Sequence, residues 1–181
     1  MKIKMCTYGL NEHNMRKKES SFDVGLAQAL AILNPKSVLD LGCGPCWYAD
    51  HLRSKNIPTT TVDYLAVPNE TAPDIIWDLN VPLRLDRKYD LVLCLEMAQC
   101  IEEENLKRLI ESCTRHSSRL IVFSAAQPGQ GSPCALSLLP FDEYLVLFGF
   151  KGFVLNPGET ERLRSLCSLS WFRSNLLFLE E

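Results

Sequence analysis

Two glycines follow a predicted strand and precede a predicted helix, with one acidic residue just before them and a second after the next strand. Glycines and acidic residues in this arrangement suit a cationic ligand. Gly42 and Gly44 lie in VLDLGCGPCWYADHL, residues 38–52, and Asp40 precedes them. Glycine has no β-carbon, so a ligand can approach the backbone closely. Asp63 comes about 20 residues later, where an acid accepts hydrogen bonds from ribose hydroxyls. These features together indicate an adenosine-type ligand with a positive centre and without phosphates.

Other nucleotide sites fit this stretch less well. A dinucleotide fingerprint, G-x-G-x-x-G, needs a third small residue, and Trp47 stands at that position. The phosphate loop G-x-x-x-x-G-K-[ST] is absent from the sequence. S-adenosylmethionine (SAM) matches better, because it has a ribose, an amino-acid head and a sulfonium. Backbone amides at the helix start near Cys46 can meet the carboxylate of that head.

The cysteines of the same loop offer an alternative chemistry. Cys43-x-x-Cys46 is a redox pattern close to a strand–helix–strand unit, although Cys43 stands between the glycines expected to face the ligand. A zinc site needs about four ligands, and without a second CxxC or a spaced histidine pair we expect no metal. We expect the eight cysteines as reduced thiols, because a chain of this size does not need disulfides.

The elements expected around these residues alternate between strand and helix. Strands are predicted over 37–41, 59–64, 74–77, 89–96, 119–125, 152–155 and 174–180, and helices over 21–33, 45–55, 102–116 and 140–149. This alternation indicates a parallel-rich sheet covered on both faces, whose ligands bind at the carboxyl ends of the strands. We expect a single domain over 1–181, with 1–20 either a solvated segment or an N-terminal lid over the cofactor.

Composition narrows the classes of partner. The 181 residues carry a net charge of -3, with 46% apolar and 23% charged residues, as in ordinary globular proteins. So weak a charge argues against nonspecific attraction to nucleic-acid backbones. No stretch reaches the ~20 apolar residues of a membrane helix, and the start lacks the apolar core of a secretory signal. We therefore predict a cytoplasmic protein with no membrane partner.

The motifs, in their order along the chain, resemble those of class I SAM-dependent methyltransferases. VLDLGCGPC is similar to their first motif, TVDY to their second, DLN to the segment after the third strand, and YDLVLCLEMAQCIEEE to their fourth. The resemblance covers about residues 22–125. It implies a three-layer Rossmann-like α/β fold with a mostly parallel seven-stranded sheet, an antiparallel last strand and helices on both faces. The predicted cofactor-binding residues are Asp40, Gly42, Cys43, Gly44, Asp63, Tyr64, Asp78, Leu79, Leu95, Glu96 and Met97.

A later stretch narrows the resemblance. IVFSAAQPGQG, with the final strand SNLLFLEE, is similar to small stand-alone methyltransferases of bacteria and viruses. In those proteins a His-x-Asn element and a Tyr-Trp commonly follow the GQG, whereas GSPCALSLLPFDEYL follows here. The substrate of those relatives therefore does not transfer to this sequence.

The expected activity is transfer of the SAM methyl group to an acceptor, with S-adenosylhomocysteine (SAH) as product. Glu96 is the candidate for a base or for orienting the acceptor, and it also belongs to the predicted cofactor site. The predicted acceptor residues are Gln99, Gln127, Gln130 and Tyr144. The low charge favours a small-molecule acceptor. The alternatives are an RNA or protein acceptor, a catalytically silent SAM-binding partner subunit, and an enzyme that transforms SAM without methyl transfer.

Overall fold

A computed structural model describes residues 21–131 and 136–181, and the predicted lid at 1–20 lies outside the described residues. The strands are β1 (Val38–Leu41), β2 (Thr59–Asp63), β3 (Ile75–Ile76), β4 (Tyr89–Leu95), β5 (Ser117–Ser124), β6 (Val154–Leu155) and β7 (Leu176–Glu180). The helices are α1 (Val24–Ile32), α2 (Trp47–Ser54), α3 (Leu106–His116), α4 (Phe141–Gly149), α5 (Pro157–Leu166) and α6 (Ser170–Asn175).

The seven strands form one sheet in the order β3-β2-β1-β4-β5-β7-β6. Strands β1 to β5 pair in parallel, and β7 runs antiparallel between β5 and β6. This arrangement confirms the predicted mostly parallel sheet with an antiparallel last strand. Parallel pairing brings the carboxyl ends of β1, β2, β4 and β5 to one edge, called the carboxyl edge below. The opposite edge, where these strands begin, is the amino edge.

Two hydrophobic layers cover the sheet, one on each face. Strand β4 contributes to both, because Val92 packs into one layer and Leu93 into the other. The first layer lies under α3 and α4 and includes Phe123 and Phe148, whose ring centroids are 5.2 Å apart. The second lies under α1, α2 and α5. Fully burying a phenylalanine side chain stabilises a fold by about 1.5–3 kcal/mol, so these layers hold the sheet that positions the carboxyl edge.

Helix α1 is fixed at its start by the buried carboxylate of Asp23. One carboxylate oxygen accepts from the Leu26 amide at 2.9 Å, which caps the helix. The other oxygen accepts from the amides of Ser168 and Leu169, both at 2.7 Å. A single side chain therefore joins the first described helix to the segment between α5 and α6.

Sequence patterning did not predict α5 and α6. Asn156-Pro157-Gly158 is typical turn chemistry, yet Asn156 caps α5 by accepting from the Glu159 amide at 3.0 Å, and Pro157 occupies the first helical position. Strand β3 is shorter than predicted, because Asp74 uses its side chain to accept from the amide of Thr61 at 2.8 Å. Within 21–131 and 136–181, no helix combines the length and apolar character that crossing a membrane requires.

Candidate functional site

The loop after β1 turns sharply over the end of β2. The amides of Gly42 and Cys43 both donate to the carbonyl of Val62, at 2.8 and 3.2 Å. Gly42 and Gly44 have φ angles of +78° and +52°, in the left-handed region that favours glycine. The chain therefore leaves β1 in a tight turn whose left-handed conformations at Gly42 and Gly44 favour glycine.

The two glycines face different surroundings. A β-carbon on Gly42 would lie 2.6 to 2.9 Å from the side chain of Met97, so this glycine permits the loops after β1 and β4 to touch. A β-carbon on Gly44 would meet nothing within 4 Å. Gly44 therefore borders open space at the carboxyl edge, and that space lies beside the ends of β1 and β2.

Asp63 holds the glycine loop from the end of β2. Its Oδ2 accepts from the Gly44 amide at 2.8 Å, and its Oδ1 accepts from the Tyr64 amide at 2.7 Å. Burial raises the pKa of Asp63, and the backbone hydrogen bonds oppose that shift only in part. A carboxylate has about four lone-pair sites, so Asp63 can hold the loop and still accept hydrogen bonds from a ligand.

Asp40 is the most deeply buried acid of the site. Its side chain is 3% exposed, and its Oδ2 has no hydrogen-bond partner among the described residues. Burial, with repulsion from Asp63, raises the pKa of Asp40 to about 7, and Arg53 lowers it only partly. The Arg53 guanidinium instead contacts Asp74 at 2.7 Å. The edge thus holds two neighbouring acids whose environment disfavours their ionised forms.

Glu96 follows β4 in a left-handed conformation, with φ +55°. Its amide donates to the carbonyl oxygen and to Oγ of Ser124, at 2.9 and 3.0 Å. Oε2 of Glu96 accepts from Nε2 of Gln99 at 3.0 Å. Oε1 of Gln99 in turn accepts from the Ala126 amide at 3.3 Å. The structure therefore brings the predicted catalytic acid and one predicted acceptor residue into direct contact, held by the end of β5.

The segment after β3 forms a turn and not an open loop. Oδ1 of Asp78 accepts from the amide and the side chain of Asn80, at 2.9 and 3.0 Å. Leu79 is 2% exposed and belongs to the core. Tyr64 and Trp77, by contrast, expose 39% and 37% of their surface. Trp77 was not singled out in the sequence, and its position directly after β3 was the available signal.

Trp47, which argued against a dinucleotide site, closes the side of the glycine loop. It is 8% exposed, and its indole nitrogen donates to Glu70 at 3.0 Å. Since Glu70 lies in the segment between β2 and β3, this bond ties that segment to the start of α2. Trp47 therefore holds the segment between β2 and β3 against the start of α2.

The loop after β5 is tied to the end of α6. Gln130 and Asn175 exchange two side-chain hydrogen bonds, at 3.1 and 2.9 Å. Oε1 of Gln130 also accepts from the Gln127 amide at 2.8 Å. Asn175 is fully buried, and sequence reasoning missed it because its partner is distant in the chain. The pair fixes Gln127 and Gln130, two of the three predicted acceptor glutamines.

Tyr144 is packed inward near the start of α4. Its ring is fully buried on α4, with its centroid 4.9 Å from that of Phe123. Burial also raises the pKa of its hydroxyl. The inward face of α4 is a core face, so an aromatic residue there packs against the sheet, and we leave Tyr144 out of the acceptor site proposed below.

The cysteines of the loop lie side by side. Their Sγ atoms are 3.4 Å apart, and both are reduced. Among the described residues, no group of three or more His, Cys, Asp or Glu side chains is placed to hold a metal ion.

Solved structures resemble this chain over most of its length. A sugar N-methyltransferase from a Streptoalloteichus species matches with a TM-score of 0.64 and 15% identity, over 87% of each chain. A 1,6-didemethyltoxoflavin-N1-methyltransferase from Burkholderia thailandensis, with bound SAH, matches at 0.63 and 13%, over 89% of this chain and 80% of that one. A magnesium protoporphyrin IX methyltransferase from Synechocystis, with bound SAM, matches at 0.59 and 16%, over 87% and 80%.

The chain has the fold of these methyltransferases. No family model matches the sequence, and no curated protein matches it. Identities of 13 to 16% establish the fold alone. Evidence for the role of the carboxyl edge therefore comes from the geometry of this chain.

Proposed function

We propose that this protein is a SAM-dependent methyltransferase with a small-molecule acceptor, and that the carboxyl edge is its active site. The observation that carries the proposal is the pair Asp40 and Asp63, two acids with raised pKa values beside the open space at Gly44. Such a pair favours a ligand that brings both hydroxyl donors and positive charge. SAM has both, and two of the similar structures contain SAM or SAH.

Each residue of the cofactor part has a separable task. Asp63 accepts hydrogen bonds from ribose hydroxyls while its Gly44 contact keeps the loop closed. Asp40 supplies negative charge to a cationic centre from a buried position, where a charge acts strongly because little water screens it. Gly44 leaves room for the ligand beside the backbone. Tyr64 and Trp77 are exposed aromatic residues that can cover an adenine.

The acceptor part is built around Glu96. When bound, SAM supplies an electrophilic methyl group, and the protein supplies orientation and electrostatics. Glu96 is held by the Ser124 carbonyl through its own amide, and Gln99 orients its carboxylate. We propose that Glu96 accepts a proton from the acceptor or orients it by a hydrogen bond. Gln127 can offer its side-chain oxygen to a polar acceptor at the same edge, because its Nε2 donates to the Ala125 carbonyl and Gln130 holds its backbone amide.

A small molecule is the proposed acceptor. The similar enzymes named above are described as acting on a sugar, on 1,6-didemethyltoxoflavin and on magnesium protoporphyrin IX. The net charge of -3 adds no attraction for a nucleic-acid backbone. We further propose that the protein acts in the cytoplasm, where SAM-dependent enzymes meet small metabolites.

Calorimetry with SAM, SAH, NAD and ATP tests the cofactor. We expect binding of SAM and SAH only, and an Asp90→Ala variant should match the wild type because Asp90 lies at the amino edge. Binding of NAD or ATP in place of SAM would contradict the proposal. A screen of polar metabolites for SAH release then tests turnover, and a protein that binds SAM but releases no SAH with any acceptor would be a silent SAM-binding subunit.

Glu96→Gln tests the acceptor part. We expect kcat to fall about 100-fold, within the range for loss of a general acid or base, while SAM affinity changes less than about threefold. Gln99→Leu should give a smaller loss, because it removes only the group that orients Glu96. Unchanged turnover in Glu96→Gln would remove Glu96 from the mechanism.

A further inference from the structure

The glycine loop carries two thiols within reach of a covalent bond. The Sγ atoms of Cys43 and Cys46 are 3.4 Å apart, and each lies within 4 Å of the Gly44 carbonyl oxygen, at 3.9 and 3.8 Å. A disulfide has an S–S distance of about 2.05 Å, so the sulfurs need to approach by little more than 1 Å. The Cys46 amide donates to the Cys43 carbonyl at 2.9 Å, which already folds the two residues toward each other.

The two cysteines differ in environment, as the partners of a redox pair do. Cys46 is buried directly before the eight-residue helix α2, in a left-handed conformation with φ +62°, whereas Cys43 is partly exposed. The hydrogen bond between the two thiols lowers the pKa of the Cys46 thiol and raises that of Cys43. A partly exposed thiol beside a second thiol of lowered pKa is an arrangement in which oxidation of the first sulfur can be followed by disulfide formation.

We propose that Cys43 and Cys46 form a reversible disulfide that weakens the cofactor site, so that hydroperoxides switch the protein off. The switch rests on the proposed function, because the same loop contacts Asp63. Peroxide reaches the partly exposed Cys43, whose sulfur attacks a peroxide oxygen; the O–O bond breaks, a sulfenic acid forms, and the hydroxide that leaves takes up the thiol proton as water. The buried Cys46 then attacks the sulfenic sulfur, the S–S bond forms, and the sulfenic hydroxyl leaves with the Cys46 proton as a second water. In total two thiols and one hydrogen peroxide give one disulfide and two waters, with the thiols oxidised and the peroxide reduced.

The effect on the cofactor site follows from what lies between the sulfurs. Gly44 and Pro45 lie between the two cysteines, and the Gly44 amide donates to Asp63 at 2.8 Å. Drawing the sulfurs together moves the backbone of Gly44, which both holds the carboxylate and borders the open space. Loss of this single contact to a carboxylate is expected to weaken ligand binding about tenfold.

The experiment compares reduced and peroxide-treated protein over the full chain. Mass spectrometry of alkylated peptides should locate a Cys43–Cys46 disulfide, calorimetry should give a Kd for SAH that is about tenfold higher after oxidation, and dithiothreitol should restore both. Cys43→Ser and Cys46→Ser should each show the same Kd before and after peroxide, whatever their starting affinity. Cys100→Ser is the matched control, since Cys100 is also partly exposed, and it should keep the tenfold change.

Three outcomes would overturn the switch. One is oxidation of other cysteines with no Cys43–Cys46 disulfide, and another is a disulfide that leaves the SAH affinity unchanged. The third is a reduced protein that binds neither SAM nor SAH, which overturns the proposed function as well. Normal SAH binding by the reduced protein, without a peroxide effect, overturns the switch alone.

Discussion

Aspartates at the two edges of the sheet have opposite electrostatic surroundings. At the amino edge, Asp90 accepts from Nε and a terminal nitrogen of Arg119, at 2.6 and 3.0 Å, and from the Lys36 amide at 2.9 Å. The Arg119 hydrogen bonds lower the pKa of Asp90. At the carboxyl edge, Asp40 and Asp63 contact no arginine or lysine among the described residues, and their pKa values are raised.

This difference indicates that Asp90 stabilises the fold, whereas Asp40 and Asp63 are placed to interact with a ligand. Asp90 ties the start of β4 to β5 and completes its own charge balance. Asp40 and Asp63 have no cationic partner among the described residues, and ionising the buried Asp40 costs stability in the free protein. Strongly perturbed groups of this kind concentrate at functional sites. The contrast predicts that changes at the carboxyl edge alter binding, and that changes at the amino edge alter stability.

Asp63→Ala should have the largest effect. It removes the acceptor for ribose hydroxyls and the contact to Gly44, so SAM affinity should fall about 100-fold or more, the loss of two charge-assisted hydrogen bonds. Calorimetry at pH 8 measures this, with Asp90→Ala as the control at the other edge. A SAM affinity within threefold of wild type would contradict the proposed role of the carboxyl edge in binding SAM.

Asp40 should make SAM binding depend on pH. Its pKa is about 7 in the free protein, and a cationic ligand favours the ionised form. SAM affinity should therefore rise about tenfold from pH 6 to pH 8, following the ionised fraction, and Asp40→Asn should bind equally weakly at both values. A wild-type affinity that does not change over this range would contradict the assignment.

The free protein should show the opposite trend in stability. Because the folded pKa of Asp40 lies above its unfolded value near 4, the unfolded chain releases this proton more readily. The contribution of Asp40 to the free energy of unfolding therefore decreases as pH rises from about 4 to about 7. Urea denaturation of wild type and Asp40→Asn at pH 5 and pH 8 isolates this contribution, since the variant cannot titrate there.

Asp90→Ala should lower the free energy of unfolding by about 1–2 kcal/mol, because it removes hydrogen bonds to a charged group. Since the pKa of Asp90 is lowered in the fold, its contribution is complete above about pH 4 and is lost as pH falls through the lowered value. Urea denaturation at pH 7 and pH 3 checks both statements. SAM affinity should stay within twofold of wild type, and a larger change would remove the functional distinction between the edges.

Lys88→Ala should have the smallest effect. Lys88 and Glu181 are 4.0 Å apart, with about half of each side chain exposed. Pairs of this kind contribute about 0–1 kcal/mol, so we expect a change in the free energy of unfolding below about 0.5 kcal/mol. Denaturation with and without added salt measures it, and a clearly larger loss would show that the amino edge holds more than surface pairs.

Sequence patterning predicted the parts of the fold and site that depend on local chemistry. The glycines after β1, Asp40 before them and Asp63 at the end of β2 each occupy a position fixed by strand and turn signals, and the structure places them together. The alternation of strands and helices predicted the parallel-rich sheet, and the order of its strands came from the structure. Helix α5 was missed because its capping residues, Asn156 and Pro157, are equally good in a turn.

The remaining site contacts depend on pairings between distant segments, which no local pattern shows. Ser124 holds the amide of Glu96 across two adjacent strands, and Asn175 holds Gln130 from the far end of the chain. Tyr144 shows a second limit of local patterns, because it follows the predicted acceptor loop in the sequence and yet its ring is buried on the inward face of α4. Burial is a property of the assembled layers, and a single stretch does not determine it.

The carboxylate of Asp23 has a consequence for the order in which the molecule is made. Three of its acceptor contacts are with Ser168 and Leu169, residues synthesised long after α1. Before the ribosome has added these residues, the Asp23 oxygen is hydrogen-bonded to water and gains none of the three contacts. We therefore expect α1 to reach its full stability only after Ser168 and Leu169 have been synthesised, although it is translated early.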